Sequence, residues 1–418
     1  MPGKCRSQRT VPFPRYWGSL MSSTPHRHGR TGFDAGRAGL HCSTPMDRPD
    51  EPRIADFEAA RLTVRLGAIS ANFKTAQRFA GTATAAAVVK ADAYGTGLAP
   101  VVPTLVQAGC DTFFVARLEE GLALRPLAPE ARIFVLDGAQ PDAVPALISH
   151  RLTPVLNSIA EIAGWSAAAR ATRTRLDAAI HIDTGMNRLG LPGAELATLA
   201  ADHAKRLEGI RLVLLMSHLA CSDDSDAKLN RVQLDRFKTA LAMLPPAPAS
   251  LAATGGILLG RDYLFDMVRP GIGLYGGNPQ PAKANPFLVA VRLTARVLQL
   301  HRADKGETVG YGATFRIKRP SLLATAGLGY ADGLMRALSN HGVGAVGGVR
   351  VPVVGRISMD LVTLDVTDVP GALATGMDVE FFGDTISLEE IAQAANTISY
   401  EILTLLSHRA TRVYEAAP

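Results

Sequence analysis

Eight short apolar runs, each ending in a polar residue, alternate with segments of helical spacing along the middle of the chain. Short apolar runs bounded by turn residues are typical of strands buried on both faces of a parallel sheet. Successive run ends are 15 to 36 residues apart, so most intervals can hold a crossover helix. Eight strand–helix units over about 220 residues predict a (β/α)8 barrel. The runs are 85–90, 112–117, 132–137, 152–157, 178–183, 212–218, 251–254 and 267–269.

The pattern changes after about Gly276. Short β-branched stretches follow, separated by Gly, Pro and Asp turns, and Ser387-Leu388-Glu389-Glu390 has the form of a helix capping box. We therefore expect an α/β protein, with a (β/α)8 TIM barrel over residues 46–288 and a mostly β C-terminal domain over 289–418. The alternative is a doubly wound open sheet, but no strand is followed by GxGxxG. The β-branched stretches are 289–300, 321–327, 351–354 and 361–366.

Residues 1–45 account for the positive charge of the chain. Their seven Lys and Arg residues and one acid give a net charge that equals the +6 of the whole sequence. The remainder is balanced, so we expect no nucleic-acid partner. The segment is rich in Arg, His, Ser, Gly and Pro without apolar periodicity, which predicts a disordered basic extension. It has some character of an organellar transit peptide, while Met46 offers an alternative translation start.

Composition also excludes several classes of protein. No apolar run approaches the length of a membrane span, which predicts a soluble protein without a membrane partner. The four cysteines are scattered, without CxxC or metal-ligand spacing. We therefore expect no metal site, no structural disulfide and a reducing, cytoplasmic compartment. The cysteines are Cys5, Cys42, Cys110 and Cys221.

The polar residues at the run ends are candidates for one shared site, because the carboxyl ends of barrel strands meet at one mouth. A lysine that is partly desolvated there has a lowered pKa and can form an imine with a carbonyl cofactor. The alternative is a lysine that extends from a strand end into water. The turn Arg269-Pro270-Gly271-Ile272-Gly273 offers backbone N–H groups suited to a phosphate. The run ends are Lys90, Arg117, Asp137, Asn157, Asp183, His218, Thr254 and Arg269.

The residues around Lys90 resemble a known family. The segment VKADAYG (89–95) closely resembles the pyridoxal-phosphate (PLP) lysine motif of alanine racemases. Seven further segments resemble motifs of that family in the same order, and the resemblance runs from about residue 55 to the C-terminus. They are HIDTGMNRLG (181–190), SHLA (217–220), RPGIGLYG (269–276), VGYGATF (309–315), GYADG (329–333), VGRISMD (354–360) and ISYE (398–401).

The resemblance implies racemisation by two bases. Lys90 would hold PLP covalently and serve as one acid/base, and Tyr311 would be the second base, reaching in from the partner subunit of a head-to-tail homodimer. The chemistry needs such a pair, because a single base would tend to return the Cα proton to the face it left. The implied activity is interconversion of L-alanine and D-alanine, either in D-alanine biosynthesis for peptidoglycan precursors or in alanine catabolism.

The resemblance also implies how the cofactor is held. Arg269 would face the pyridine nitrogen, and because an arginine does not deprotonate it would keep that nitrogen unprotonated and favour plain proton exchange. His218 would lie in the network behind it. Phosphate contacts would come from Tyr94, Thr254, Gly271, Ile272 and Tyr400.

The substrate contacts are implied in the same way. Arg188 would neighbour the Tyr311 hydroxyl, and Met359 would bind the substrate carboxylate through its backbone N–H. Tyr330 and Tyr400 would narrow the entrance and favour a small side chain.

Two departures from the family pattern leave alternatives open. His181 stands where many members have a carbamylated lysine, so either an anion or His181 itself would orient Arg188. Ala253-Thr254 replaces the usual Asn-Ser. The first departure motivates a broad-spectrum amino-acid or serine racemase as the alternative function. A PLP-dependent decarboxylase would need a cysteine motif that the C-terminal region lacks, and non-catalytic PLP homeostasis proteins are single barrels without the β domain.

Overall fold

The computed structural model of the protein describes residues 58–416, so the predicted extension at 1–45 lies outside the described residues. Strand β1 (Ala60–Arg65) comes first, and helix α1 (Leu66–Ala80) follows it directly. The predicted helical spacing is confirmed, because Ile69 and Phe73 lie on the buried face of α1. The helix ends at Gly81, whose φ of 64° lets its N–H bond the last carbonyl groups.

Nine short strands occupy the barrel region. The first predicted run is divided at Ala86 into two short strands, and the run at 251–254 begins just after its strand has ended. The strands are β2 (Thr84–Ala85), β3 (Ala87–Val88), β4 (Thr112–Val115), β5 (Arg132–Val135), β6 (Thr153–Leu156), β7 (Leu176–His181), β8 (Ile210–Met216), β9 (Ala249–Ser250) and β10 (Met267–Val268).

These strands close into a ring. Strands β3 to β9 form one parallel sheet in chain order. Strand β10 pairs in parallel with β2, and the backbone N–H of Arg269 donates to the carbonyl of Ala252, beyond β9. Strands β2 and β3 are two parts of one strand, so the pairing of β10 with β2 connects the last strand of the barrel to the first. The predicted (β/α)8 barrel is therefore confirmed.

The intervals between strands hold helices, as predicted. The shortest interval, before β10, holds one turn of α-helix at Thr254–Ile257 and a three-residue 3-10 helix at Arg261–Tyr263. The side chain of Ser158 accepts the N–H of Glu161 and so caps the start of one of the long helices. The helices are α2 (Lys90–Tyr94), α3 (Leu98–Gln107), α4 (Leu118–Leu124), α5 (Val144–Ser149), α6 (Ile159–Thr172), α7 (Gly193–Ala201), α8 (His203–Arg206), α9 (Lys228–Met243) and α10 (Thr254–Ile257).

The remainder of the chain is mostly β, as predicted. Its main sheet is largely antiparallel and includes β1, which pairs antiparallel with one strand of this region and parallel with its last strand. The strands are β11 (Val291–Ala303), β12 (Thr308–Val309), β13 (Phe315–Arg316), β14 (Ser321–Ala326), β15 (Val343–Val346), β16 (Val349–Pro352), β17 (Val362–Asp365), β18 (Asp378–Phe382) and β19 (Thr411–Glu415).

Two helices connect this sheet to the barrel mouth. Helix α11 (Leu388–Ala394) begins where predicted, since the Ser387 hydroxyl accepts the N–H of Glu390 at 3.2 Å. Helix α12 (Ser399–Thr404) carries Tyr400. One continuous apolar core contains residues of both the barrel and the C-terminal sheet. Within residues 58–416, no helix is long and apolar enough to cross a membrane.

Candidate active site

Lys90 lies directly beyond the end of β3, at the mouth of the barrel. The N–H of Val89 donates to the carbonyl of Phe114 in the neighbouring strand at 3.0 Å, which fixes the backbone just before the lysine. Burial lowers the pKa of Lys90, the Arg188 guanidinium lowers it further, and the carboxylates of Glu120 and Asp137 partly oppose this. A lower pKa gives more neutral amine at pH 7, and the neutral amine is the form that attacks a carbonyl carbon.

Lys90 lines a cavity of about 180 Å³ at this mouth. Nine of the twelve predicted site residues line it, from five different segments of the barrel and from α12. The fold thus brings together residues that are up to 310 positions apart in the sequence. The nine are Lys90, Tyr94, Arg188, His218, Thr254, Arg269, Gly271, Ile272 and Tyr400.

Arg269 is a fixed cation on the cavity wall. Its side chain donates to the Ser250 hydroxyl and, at 2.7 Å, to the Ser217 carbonyl, and it lies 5.9 Å from the Phe114 ring centre. Burial lowers the pKa of Arg269 to about 10, so it stays protonated at neutral pH. His218 lies 3.4 Å from it, and burial together with the Arg269 charge holds the pKa of His218 well below its ordinary value. Neutral His218 can therefore accept from Arg269.

A cradle suited to an anion lies beside this pair. The Thr254 hydroxyl accepts the N–H of Gly271 at 2.8 Å. Tyr94 packs its ring on Tyr275 with centres 4.7 Å apart, and its hydroxyl approaches Gly271. Ile272 begins a short 3-10 helix, whose first N–H groups have no partner within the helix. The hydroxyls of Tyr94 and Thr254 and the start of this 3-10 helix line the same cavity, and such groups fit the phosphate of the predicted cofactor.

Substitution of Gly271 by alanine is expected to destabilise the protein by about 1–3 kcal/mol, because the added Cβ overpacks the cradle. That Cβ would lie 2.4 Å from the Tyr94 hydroxyl oxygen, and the stacked Tyr94 ring has little room to move. The free energy of unfolding in urea measures the loss. Gly164→Ala is the control, since a Cβ there meets nothing within 4 Å. An unchanged free energy for Gly271→Ala would contradict this close packing.

His181, which stands in the place of the family's lysine, is neutral and fixed. The Asn157 amide nitrogen donates to the carbonyls of Leu136 and Val155, so its oxygen is left to accept from Nδ1 of His181 at 2.9 Å. The other ring nitrogen of His181 is therefore an acceptor. Burial, with the Arg269 charge, lowers the pKa of His181 to about 4. His181 therefore offers an uncharged acceptor at neutral pH.

Arg188 is carried by a loop that Asp183 organises. The Asp183 carboxylate accepts the N–H groups of Gly185 and Met186, both at 2.9 Å, and that of Asn187 at 3.0 Å. Three backbone donors on one carboxylate hold the loop without help from the Arg188 side chain. The Arg188 side chain is thus free to point into the cavity that it lines.

His181 is expected to make the free energy of unfolding decrease as the pH falls from 6.5 towards 4. In this window the unfolded chain binds a proton on His181 and the folded chain does not, so stability is full above pH 6.5 and lost below it. The total loss is roughly 3 kcal/mol, at about 1.4 kcal/mol per pH unit. Urea unfolding at several pH values should show a shallower slope for His181→Asn, with the exposed His150→Asn as the matched substitution. Equal slopes for His181→Asn and the wild type would contradict the prediction.

The three other predicted site residues lie on the C-terminal part and do not line this cavity. Tyr311 is 72% exposed, Met359 53% and Tyr330 44%. The N–H of Ala331 donates to the Met359 carbonyl at 2.9 Å, so the loops of Tyr330 and Met359 are joined. Among the described residues of this single chain, the structure does not bring Tyr311 to Lys90.

Sequence reasoning missed several residues that shape the site. Tyr275 belongs to the RPGIGLYG segment, and it supports Tyr94 by stacking while its hydroxyl donates to the Val88 carbonyl at 3.1 Å. Ser250 and Phe114 hold Arg269. The only sequence signal for Ser250 is a hydroxyl at the end of an apolar strand.

Fold and cavity together define an enzyme of the barrel class that binds a phosphorylated carbonyl cofactor at the carboxyl ends of its strands. The family model described as "Alanine racemase, N-terminal domain" matches residues 64–279, and "Alanine racemase, C-terminal domain" matches residues 290–414. The chain belongs to the alanine racemase family.

Named relatives agree over most of the chain. The catabolic alanine racemase of Agrobacterium fabrum is 47% identical over 364 residues, which cover 87% of this chain and 94% of the relative. The biosynthetic alanine racemase of the same organism is 45% identical over 383 residues, covering 88% and 97%. The alanine racemase of Bartonella henselae with covalently bound pyridoxal phosphate is 40% identical, with a TM-score of 0.83, and the match covers 85% of this chain and 99% of that structure.

Proposed function

We propose that this protein interconverts L-alanine and D-alanine with PLP as its cofactor. The observation that carries the proposal is Lys90, a lysine of lowered pKa that lines the same cavity as the fixed cation Arg269. The Bartonella henselae relative, whose structure holds PLP covalently, supports the choice of cofactor. The Agrobacterium fabrum relatives, both named alanine racemases, support the choice of substrate.

The cavity residues fit PLP. Lys90 would bond the carbonyl carbon, and Arg269 would lie at the ring nitrogen with neutral His218 behind it. The phosphate would be held by Tyr94, Thr254, Gly271, Ile272 and Tyr400. When bound, PLP withdraws electron density from the amino-acid Cα and makes its proton easier to remove. Arg269 can donate a hydrogen bond to the ring nitrogen but does not give up its proton, which favours proton exchange over transamination.

The second base comes from a partner subunit in this proposal. Racemisation needs a base on each face of Cα, and Lys90 supplies one. Tyr311 is largely exposed and does not line the cavity of its own chain, so we assign it to the cavity of the other protomer in a homodimer. Met359 would then bring its N–H to the substrate carboxylate, Tyr330 would narrow the entrance, and Arg188 would meet the Tyr311 hydroxyl.

Co-expression of Lys90→Ala and Tyr311→Phe chains tests the shared site. Random pairing makes half of the dimers mixed, and in each mixed dimer one site holds both native residues. The mixture is expected to recover about a quarter of the wild-type activity, although neither variant alone is active. A different affinity tag on each variant allows the mixed dimer to be purified from the two homodimers and assayed separately. An inactive mixed dimer would place Tyr311 at the Lys90 of its own chain.

Incubation with L-alanine and PLP in D2O tests the activity itself. Proton NMR and chiral chromatography are expected to show deuterium at Cα together with D-alanine approaching an equal amount. Deuterium without D-alanine, or no exchange, would remove the two-base assignment.

The second candidate, a broad-spectrum or serine racemase, is motivated by the neutral His181. Comparable kcat/KM for alanine and a large basic amino acid would favour that candidate.

We further propose that the enzyme works in the cytoplasm and is organised as a barrel over 46–288 and a C-terminal domain over 289–418. Cys110 and Cys221 are free thiols, which supports a reducing compartment. The change from parallel to mainly antiparallel strands near residue 290 supports the boundary.

A further inference from the structure

The residues after Lys90 have a conformation that non-glycine residues rarely adopt. Ala91, Asp92 and Ala93 have φ of 53–54° and ψ of 50–52°, and Tyr94 has φ of 57°. In a left-handed turn Cβ comes too close to the following carbonyl oxygen. Four such residues in a row persist only where surrounding contacts hold them, and such strain is concentrated at functional sites.

Glu120 holds the end of this turn that adjoins Lys90. One carboxylate oxygen accepts the N–H of Ala91 at 2.5 Å. The other accepts the N–H of Ala116 at 2.8 Å and of Arg117 at 3.1 Å. A glutamate in the first turn of a helix often accepts the N–H of the capping residue, as Glu120 does for Arg117. The bond to Ala91 lies outside that helix and ties the Lys90 turn to the end of β4.

Other contacts secure the far end of the turn. The Asp92 carboxylate accepts the N–H of Leu98 at 2.7 Å, and the Arg412 side chain donates to the Gly95 carbonyl at 3.1 Å. Arg412 also donates to the carbonyl of Leu406, beyond α12, at 2.9 Å. With the far end anchored, the bond from Glu120 determines where the peptide between Lys90 and Ala91 lies.

We propose that Glu120 is a positioning residue for Lys90, an inference that rests on the proposed function of Lys90 as the PLP lysine. Its carboxylate fixes the peptide that follows Lys90, and therefore the direction from which the amine enters the cavity. The Glu120 charge also opposes the lowering of the Lys90 pKa by burial and by Arg188. A glutamine in its place would keep only one acceptor oxygen. That oxygen would not serve both the Ala91 N–H on one side and the N–H groups of Ala116 and Arg117 on the other.

Glu120→Gln tests the inference, with Glu119→Gln as the matched control in the same turn of α4. Glu119 is exposed and carries the same charge. Hydrogen exchange of the peptide covering 90–98 is expected to be about tenfold faster in full-length Glu120→Gln. Its PLP dissociation constant, from fluorescence titration, is expected to rise about tenfold. Glu119→Gln should leave both values unchanged, and equal effects of the two variants would overturn the proposal.

A second variant separates positioning from general loss of structure. Glycine adopts the left-handed conformation without steric cost, so Ala91→Gly added to Glu120→Gln is expected to restore part of the PLP affinity. If Glu120 only stabilised α4, the glycine would restore nothing, and that result would overturn the proposal. The hydrogen-exchange rate of residues 90–98 can be measured whether or not the protein binds PLP. A wild-type protein that fails to bind PLP would therefore remove the proposed function but leave the exchange result to decide whether Glu120 holds the turn.

Discussion

Tyr311→Phe is expected to reduce kcat for racemisation by about 10²–10⁴-fold in both directions, because the variant lacks the proton-transfer group on one face of Cα. The change removes one hydroxyl and keeps the ring. Since Tyr311 is 72% exposed in the protomer, the free energy of unfolding should stay within about 0.5 kcal/mol of the wild type. The rate of each direction is measured by chiral chromatography from pure L-alanine and pure D-alanine.

Deuterium exchange at Cα tests the two bases separately. With Lys90 intact, one enantiomer should still exchange its Cα proton with D2O while keeping its configuration, and the other should not exchange. Tyr330→Phe is the matched control, since Tyr330 is also an exposed tyrosine of the C-terminal part but is assigned to the entrance. It should change KM more than kcat. If both enantiomers still exchange in Tyr311→Phe, the hydroxyl of Tyr311 is not the second base.

The barrel could be predicted because its information is local. Each strand is a short apolar run, and the polar residue that ends it marks the mouth of the barrel. The pattern therefore predicts that Lys90, His218 and Arg269 meet, and they do line one cavity. The glycine-bearing turn at 269–273 already indicated the cradle, and the family motifs added Tyr94 and Tyr400 to it.

Other features depend on contacts that a local pattern does not encode. Strand β1 pairs with β11 and β19, although its sequence would suit a barrel strand equally well, because pairing across more than 200 residues is decided by the packed sheet. The left-handed turn at Ala91–Ala93 contradicts the preference of alanine, and tertiary contacts such as the hydrogen bond that the Ala91 N–H donates to Glu120 override that preference. Tyr311 is exposed in its own chain, so a single-chain argument gives it no target.

Lys90→Ala is expected to have the largest effect of all, with racemisation at or below the limit of detection. The substitution removes the group that would bond the cofactor and the base on one face of Cα in one step, and losses at groups that act as a unit are at least about 10⁴-fold. Borohydride reduction followed by intact mass measurement should show one PLP per wild-type chain and none on the variant. Lys74→Ala, an exposed lysine on α1, is the control and should retain both activity and labelling.

Lys90→Arg separates the positive charge of the lysine from its roles as nucleophile and base. It keeps a positive charge in the cavity, but a guanidinium does not lose its proton, so it can act neither as nucleophile nor as base. We expect no covalent PLP and no exchange of either enantiomer in D2O. Tyr311→Phe, by contrast, should keep the exchange of one enantiomer, so the two variants have different isotope signatures although both fail to racemise. Covalent PLP on Lys90→Arg would show that another lysine holds the cofactor, and the Lys90 turn held by Glu120 would then have no catalytic purpose.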